Sequence, residues 1–418
     1  MRNYLIPFLL LTLISNVANG QWIQIYQTDS CTCPEGQHLP VIGMGFFGKD
    51  SGIVCSKKYG DNGSVATTTN GGKTWDTYRL VSNVIGSSAA FTDINHLWLN
   101  DANIIYHSSD GGRNWRADTL RDTISSNITS LYFLDSLTGF AGGEGLMIFK
   151  TSDGGIHWNR VRDPDKNIQN GLYEIHHFSF STPLLGLAIG ADYHSYVLRT
   201  TDGGLNWLTV SDLDGVPAEA FSLSYPDWQH AYICTAYYLY SSSDSGKTWG
   251  QVGTRSPLGA FFRSISFLDS LRGIAVVSDS PLVAGYTSDG GKSWRRFTTS
   301  GSTTSYLFSS SSFPHESIAY VGGSDAVFKL NTKDLSVAPH QPISNLCPSL
   351  EFDGDYIVIG ISGGFPGVVR VLDLLGRIVE ERTIASDSKI HLSLSGVNRQ
   401  AFIEVRSQNQ FKVFKILR

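Results

Sequence analysis

One eight-residue pattern constrains this chain more than any other feature. It appears as TTNGGKTW (Thr68 to Trp75), SSDGGRNW (Ser108 to Trp115) and TSDGGIHW (Thr151 to Trp158). It continues as TTDGGLNW (Thr200 to Trp207), SSDSGKTW (Ser242 to Trp249) and TSDGGKSW (Thr287 to Trp294). Every copy obeys Ser/Thr-x-Asp/Asn-x-Gly-x-x-Trp, and the Trp-to-Trp steps are 40, 43, 49, 42 and 45 residues. A period of this length means stacked supersecondary units, each burying a face against the next. Asp-Gly-Gly and Asn-Gly-Gly favour tight hairpin turns, because glycine accepts the positive φ such turns need.

Within each copy the residue types suit a fastening. The carboxylates of Asp110, Asp153, Asp202, Asp244 and Asp289, and the amide oxygen of Asn70, are placed to accept turn N–H groups. The Ser or Thr hydroxyl adds another local bond. Trp75, Trp115, Trp158, Trp207, Trp249 and Trp294 are expected to open the fourth strand of each unit and lay a large apolar face on the neighbouring sheet. One carboxylate per turn is too few for a calcium loop.

A second marker runs through the chain seven times. Phe46, Phe91, Phe133, Phe180, Tyr225, Phe267 and Phe313 are each followed six positions later by Gly52, Leu97, Gly139, Gly186, Ala231, Gly273 and Ala319. The seventh turn should fall near FKLNTKDLSV (Phe328 to Val337), where the glycine pair and Trp are missing. An unmatched Trp22 stands at the other end, in QWIQIYQ. We therefore expect an all-β protein: a seven-bladed β-propeller of four-stranded units over residues 21–337, closed by an N-terminal strand carrying Trp22.

The turn motif resembles the Asp box, or bacterial neuraminidase repeat, of sialidases, sortilin-type receptors, xyloglucanases and photosystem II stability/assembly factor-like propellers. The resemblance is best to the last of these, whose repeat reads F-x-D-x-x-x-G before the Asp box; FLDSLTG and FLDSLRG match it here. It covers about Gln21 to Val337 and implies that the boxes are structural, on the rim opposite the ligand-binding face. The Asn70 and Ser245 departures suit a folding role.

The opposite rim is where the sequence directs the search for a ligand. Its expected loops carry Asp61, Asp101, Glu144, Asp192, Asp279 and Asp325, with His194 in DYHSY. Such acids could draw a cation or cationic partner, although Asp and Gly also simply make turns. His176 and His177 are adjacent on a strand and so face opposite ways, which disfavours a shared metal. We expect no metal, no cofactor and no catalytic residue. YQTDSCTCPEGQHLPVIGMG, near the first strand, lacks the arginine a sialidase needs there. The chain is also short for the double propeller that xyloglucanases resemble. Between residues 21 and 337 there are 22 Lys and Arg against 29 Asp and Glu, a balance of −7 that disfavours nucleic acid. These points lead to a non-catalytic binding module for a protein or carbohydrate, with a glycan-active hydrolase as the alternative.

The ends carry targeting features. Residues 1–20 read as a secretory signal peptide: Arg2, an apolar core from Leu5 to Ile14, then small residues Ala18 and Gly20. That core is too short for a membrane helix, and no later segment is long and apolar enough to cross. Five cysteines leave room for one or two disulfides, with Cys31 or Cys33 to Cys55 as a candidate pairing. After a linker at 338–345, residues 346–418 alternate as a small β-sandwich. This tail resembles the C-terminal sorting domain of the Bacteroidetes type IX secretion system. The match lies in Val371 to Arg377, including Asp373, Gly376 and Arg377, in LSLSGV, and in the basic ending with Lys412, Lys415 and Arg418. It implies the type IX machinery as a partner and delivery to the medium or outer-membrane surface. The usual Pro-Asn-Pro opening is replaced near Cys347-Pro348-Ser349, and the late Gly-x-Tyr by Arg399 to Phe402.

Overall fold

The computed structural model describes residues 23–28, 41–58, 61–79, 88–120, 127–163, 173–191, 195–210, 219–253, 255–278, 283–298, 310–323 and 326–332, together with seven strands between 349 and 417. Seven four-stranded antiparallel sheets form a propeller. The first strands of successive sheets are neighbours around the ring, and Ser310–His315 of the seventh meets Val41–Phe47 of the first. In the third blade, Ile128–Phe133, Gly139–Gly143, Ile148–Thr151 and Asn159–Arg162 follow one another from axis to rim. The second strands are almost wholly buried and the fourth largely exposed, as expected for sheets packed face to face with a polar outer edge. The seventh sheet takes its outer strand from Ile23–Gln27, which runs antiparallel to Ala326–Asn331 with Ile23 opposite Lys329. Trp22 lies outside the described residues.

Each seam between blades has the same parts. The turn Trp packs backward onto the preceding blade: Trp158 against the Trp98 and Ile105 cluster, Trp249 against that of Leu187 and Ile189, and Trp75 against Tyr320 and Val327. The marker aromatic packs the same way, and its surroundings explain the residue six positions on. Phe46, Phe133, Phe180 and Phe267 stack on Tyr320, Trp98, Phe140 and Tyr232 of the preceding blade, with ring centroids 3.5, 3.6, 4.8 and 3.7 Å apart. Beneath each of these four rings is a glycine, Gly52, Gly139, Gly186 or Gly273, where a methyl group would meet the ring. At the other three seams the preceding blade offers Ile53, Leu187 or Ile274, and the residue under the ring is Leu97, Ala231 or Ala319. A flat partner on one side thus goes with a bare backbone on the other, which conserves volume in a close-packed seam.

The repeated turns are held by their own side chains. In the third blade, Thr151 Oγ1 donates to Asp153 Oδ1 at 2.9 Å and accepts the Gly155 N–H at 2.9 Å. Asp153 Oδ1 accepts the His157 N–H, and Oδ2 bonds His157 Nδ1 at 2.7 Å. Asn114, Asn206, Thr248 and Ser293 fill the His157 position in other blades and donate to Asp110, Asp202, Asp244 and Asp289. The residue before the Trp is therefore a required polar partner, a regularity the sequence reading treated as free. Trp158 Nε1 donates to Gly155 O at 3.0 Å, and four further copies repeat this bond. The Trp precedes the fourth strand instead of opening it; the strand starts at Asn159.

Two cysteine findings correct the sequence reading. Cys55 is a free thiol, fully buried with Ile53, Val65, Leu97 and Leu99, so it takes no part in a disulfide with Cys31 or Cys33. Cys234 is likewise free and buried. The tail strands form a three-stranded sheet (Ser349–Asp353, Tyr356–Gly360, Lys389–Ser393) and a four-stranded one (Ile378–Ile384, Gly367–Leu372, Gln400–Ser407, Gln410–Leu417). Among the described residues no helix is long and apolar enough to cross a membrane.

Candidate functional site at the mouth of the ring

Because each first strand runs toward the glycine turns, its beginning lies at the opposite mouth, beside the loops joining second to third strands. Five of these strands carry a β-bulge at one shared level, four residues before the marker aromatic. The extra residues are Ile42, Thr129, His176, Phe221 and Arg263. A bulge bends an edge strand and re-aims a side chain, and here it does so on the strands bordering the axis. All five are half-buried. Sequence reading missed this ring; the signal that marks it is a fixed offset from an aromatic, not a residue type.

Just beneath the bulges, the first strands are tied together. The N–H groups of Leu131, Tyr225, Ile265, Phe267 and Phe313 donate to Ser88, Ser179, Ser222, Ser224 and Ser266 of the preceding blade. The Leu223 N–H donates to His177 Nδ1 at 3.1 Å. Burial, with His176 adding to it, lowers the His177 pKa to about 4, so the ring stays neutral and keeps that acceptor. These bonds satisfy strand edges that have no ladder partner, and they fix the level of the bulges.

Around this frame the mouth divides by charge. One sector spans the third to fifth blades. Glu144 and Glu174 form a backbone bridge, Gly145 N–H donates to Tyr173 O, and Asn127 Nδ2 donates to Glu144 Oε1 at 2.7 Å. Tyr173 and Tyr196 meet edge to face at 5.1 Å. Burial raises the Glu174 pKa, opposed by His176 and reinforced by the like charges of Glu144 and Glu219. The other sector lies between the fifth and sixth blades. Arg255 stands 4.0 Å from the Tyr237 ring centroid, and Tyr237 meets Phe261 edge to face at 4.8 Å. Arg263 lies 5.1 Å from the centroid of Phe221. The Ser256 N–H bond to Tyr237 O and the Phe262 N–H bond to Ala236 O hold these loops together.

Of the acids expected on this rim, Glu144 joins the first sector. Asp101 is half-buried at the end of Leu97–Asp101, followed by Ala102 at φ +49°. Asp61 opens the strand Asp61–Thr68, with only its backbone described. Asp192, His194, Asp279 and Asp325 lie outside the described residues, as do Asp373, Gly376 and Arg377; Lys412 and Lys415 sit on the last strand. Among the described residues no three His, Cys, Asp or Glu side chains are grouped to hold a metal.

No family model matches the chain. No curated relative matches it either. Solved structures match in fold. YCF48 bound to D1 peptide superposes with a TM-score of 0.56 at 17% identity, over 77% of this chain and 97% of that one. YCF48 from Cyanidioschyzon merolae gives 0.57 at 19%, over 74% and 98%. PorZ, a surface component of the type-IX secretion system of Porphyromonas gingivalis, gives 0.51 at 13%, over 93% of this chain and 60% of that one. An ancestral GH74 enzyme also reaches 0.51, at 12% identity. At such identities these likenesses establish the seven-bladed fold and leave the site to be argued from its own residues.

Proposed function

We propose that this chain is an exported binding scaffold that engages a polypeptide at the mouth opposite the glycine turns and performs no chemistry on it. The observation that carries this reading is the contrast between the two faces. The turn carboxylates spend both oxygens inside their own hairpins. At the mouth, Glu174, Arg255 and Arg263 are charged side chains with no ion pair among the described residues. Groups left unmatched beside exposed aromatics are what a recognition surface keeps in hand. In this reading the Asp boxes are structural throughout, and Ile23–Gln27 is the clasp of the ring. The Trp75 Nε1 bond to Ile25 O at 2.9 Å supports that role.

We assign residues 1–20 to a signal peptide and 346–418 to a type IX sorting domain, with the finished protein in the medium or on the outer surface. The support is the sequence resemblance around Asp373, Gly376 and Arg377. Deleting residues 360–418 should leave the protein inside the cell, and normal appearance outside would sink the sorting assignment. The second reading, glycan hydrolysis, draws on one observation: Glu144 and Glu174 adjoin, and burial shifts the Glu174 pKa upward, the direction a general acid uses. Fluorogenic glycosides, sialosides included, separate the two. Turnover abolished in Glu174→Gln would replace the binding reading.

A further inference from the structure

We propose that the seam between the fifth and sixth blades is a carboxylate subsite, in which Arg263 and Arg255 take an acidic side chain or C-terminus of a mixed-charge polypeptide. The inference rests on the binding reading above and names the chemistry of its ligand.

Arg263 is the starting point. It occupies the bulge of the sixth blade's first strand, where register gives it no ladder partner. Its Nε is fully buried and has no hydrogen-bond partner among the described residues, although most buried polar nitrogens find one. Removing a guanidinium N–H from water without a partner is costly, and a bulge at this level is held in place by the flanking serine bonds of Ser222 and Ser224. Phe221, the bulge residue of the fifth blade, supports the guanidinium face. Arg263 as a whole is half-buried on that ring, and a planar donor fork on an aromatic support suits two-point binding of a carboxylate.

Arg255, which is exposed, also rests on an aromatic ring. It lies over Tyr237, whose other edge meets Phe261. Phe261 is a large apolar side chain with 42% of its surface exposed at the mouth. Two arginines on aromatic supports, with an exposed ring beside them, offer a carboxylate contact together with apolar surface for the stem that carries it.

The neighbouring sector decides the class of ligand. Glu219 lies two residues before Phe221, and Glu144 and Glu174 lie beyond it across the fourth blade; their charges act on one another. A uniformly anionic chain would meet repulsion within one blade of the arginine seam. An extended polypeptide carrying one acidic and one basic residue satisfies both sectors.

The test uses the full chain and fluorescently labelled ten-residue Gly/Ser peptides carrying one Asp and one Lys at varied spacing, alongside Asp-only, Lys-only and uncharged versions. Fluorescence anisotropy at low and moderate salt reads the affinity. The expected result is selective retention of mixed-charge peptides, weakened about tenfold or more by Arg263→Gln and by Arg255→Gln. Phe261→Ala, an exposed change that leaves the seams intact, should weaken binding by a smaller factor. Glu174→Gln should reduce binding only of Lys-containing peptides. If mixed-charge peptides bind but the arginine variants, shown folded by their thermal transitions, bind equally well, the subsite is wrong and the binding reading stands. If no peptide binds, both fall. Stronger binding of an oligoglucuronate than of any peptide would overturn the polypeptide assignment in favour of an anionic glycan.

Discussion

The pairing of a flat ring on one side with glycine on the other can be tested at the seam between the third and fourth blades. Phe140 and Phe180 stack at 4.8 Å with 17° between their planes, and Gly186 lies beneath Phe180. A methyl group at Gly186 would lie 2.7 Å from Phe180 Cδ1 and closer still to the ring edge. Ordinary carbon contacts are at about 3.5–4.0 Å, so the ring would have to retreat by about 1 Å into Phe140. Overpacking of this kind costs about 1–3 kcal/mol, offset by about 0.4–1 kcal/mol from the stiffer unfolded chain. Gly186→Ala should therefore lose about 1–2 kcal/mol. Phe140→Leu removes the stack and leaves space, and should lose about 1–2 kcal/mol alone. Lys150 Nζ lies 5.9 Å from the Phe140 ring centroid, so this change also removes a weak cation–π contact, which the double-variant comparison cancels.

Combined, the two substitutions should recover about 1 kcal/mol relative to their sum, because the added methyl displaces Phe180 into the volume that the loss of the Phe140 ring leaves open. Urea titration followed by tryptophan fluorescence measures this, with Trp207 in edge contact with both rings as a local reporter. A double variant additive within about 0.5 kcal/mol would refute the compensation argument.

Ser245 holds φ +67° where other copies have glycine, so Ser245→Gly should raise stability by about 1 kcal/mol, read as an increased denaturation midpoint. Burial opposes ionisation of Asp153 and Asp244, yet hydrogen bonds from His157 and Thr248 win and lower both pKa values to about 2. Their folded values lie below the unfolded one near 3.9, so their contribution is present above that pH and fades as pH falls toward 2. The thermal midpoint should drop across that window, and less so in Asp153→Asn, since Asn70 fills the same role in the first blade. Burial raises the Cys55 thiol, and lifts Cys234 to about 12, so mass-mapped alkylation should leave both unmodified until the protein unfolds.

Blade number and turn positions were legible because both depend on short-range repetition: a turn that needs glycine, and a Trp at fixed offset. The marker aromatics were legible as a spacing. Their meaning was not, since Gly52 and Leu97 respond to residues of the preceding blade, Tyr320 and Ile53. The mouth was read through acids in loops, because Asp and Glu draw attention as residue types. The structure instead brings forward Arg263, Phe221 and His176, which share no residue type, only a register irregularity four residues before the marker aromatic. Cys55 was misjudged for a related reason: its position on a second strand, buried on both sides, outweighs its nearness in sequence to Cys31 and Cys33.

The backward packing of the tryptophans gives the ring a direction in time. As the chain emerges from its N-terminus, each new blade arrives with the lid for the one already made: Trp115 for the first, Trp158 for the second, and so on to Trp294 for the fifth. Trp75 is different, for its seat is built from Tyr320 and Val327, nearly the last propeller residues to appear. Ile25 and Tyr26, the rest of that seat, emerge early but are anchored by pairing with Ala326–Asn331, so the lid of the first blade closes when the seventh is made. For that whole interval the face of the first blade is open to other chains, and closing the ring is what removes it from their reach.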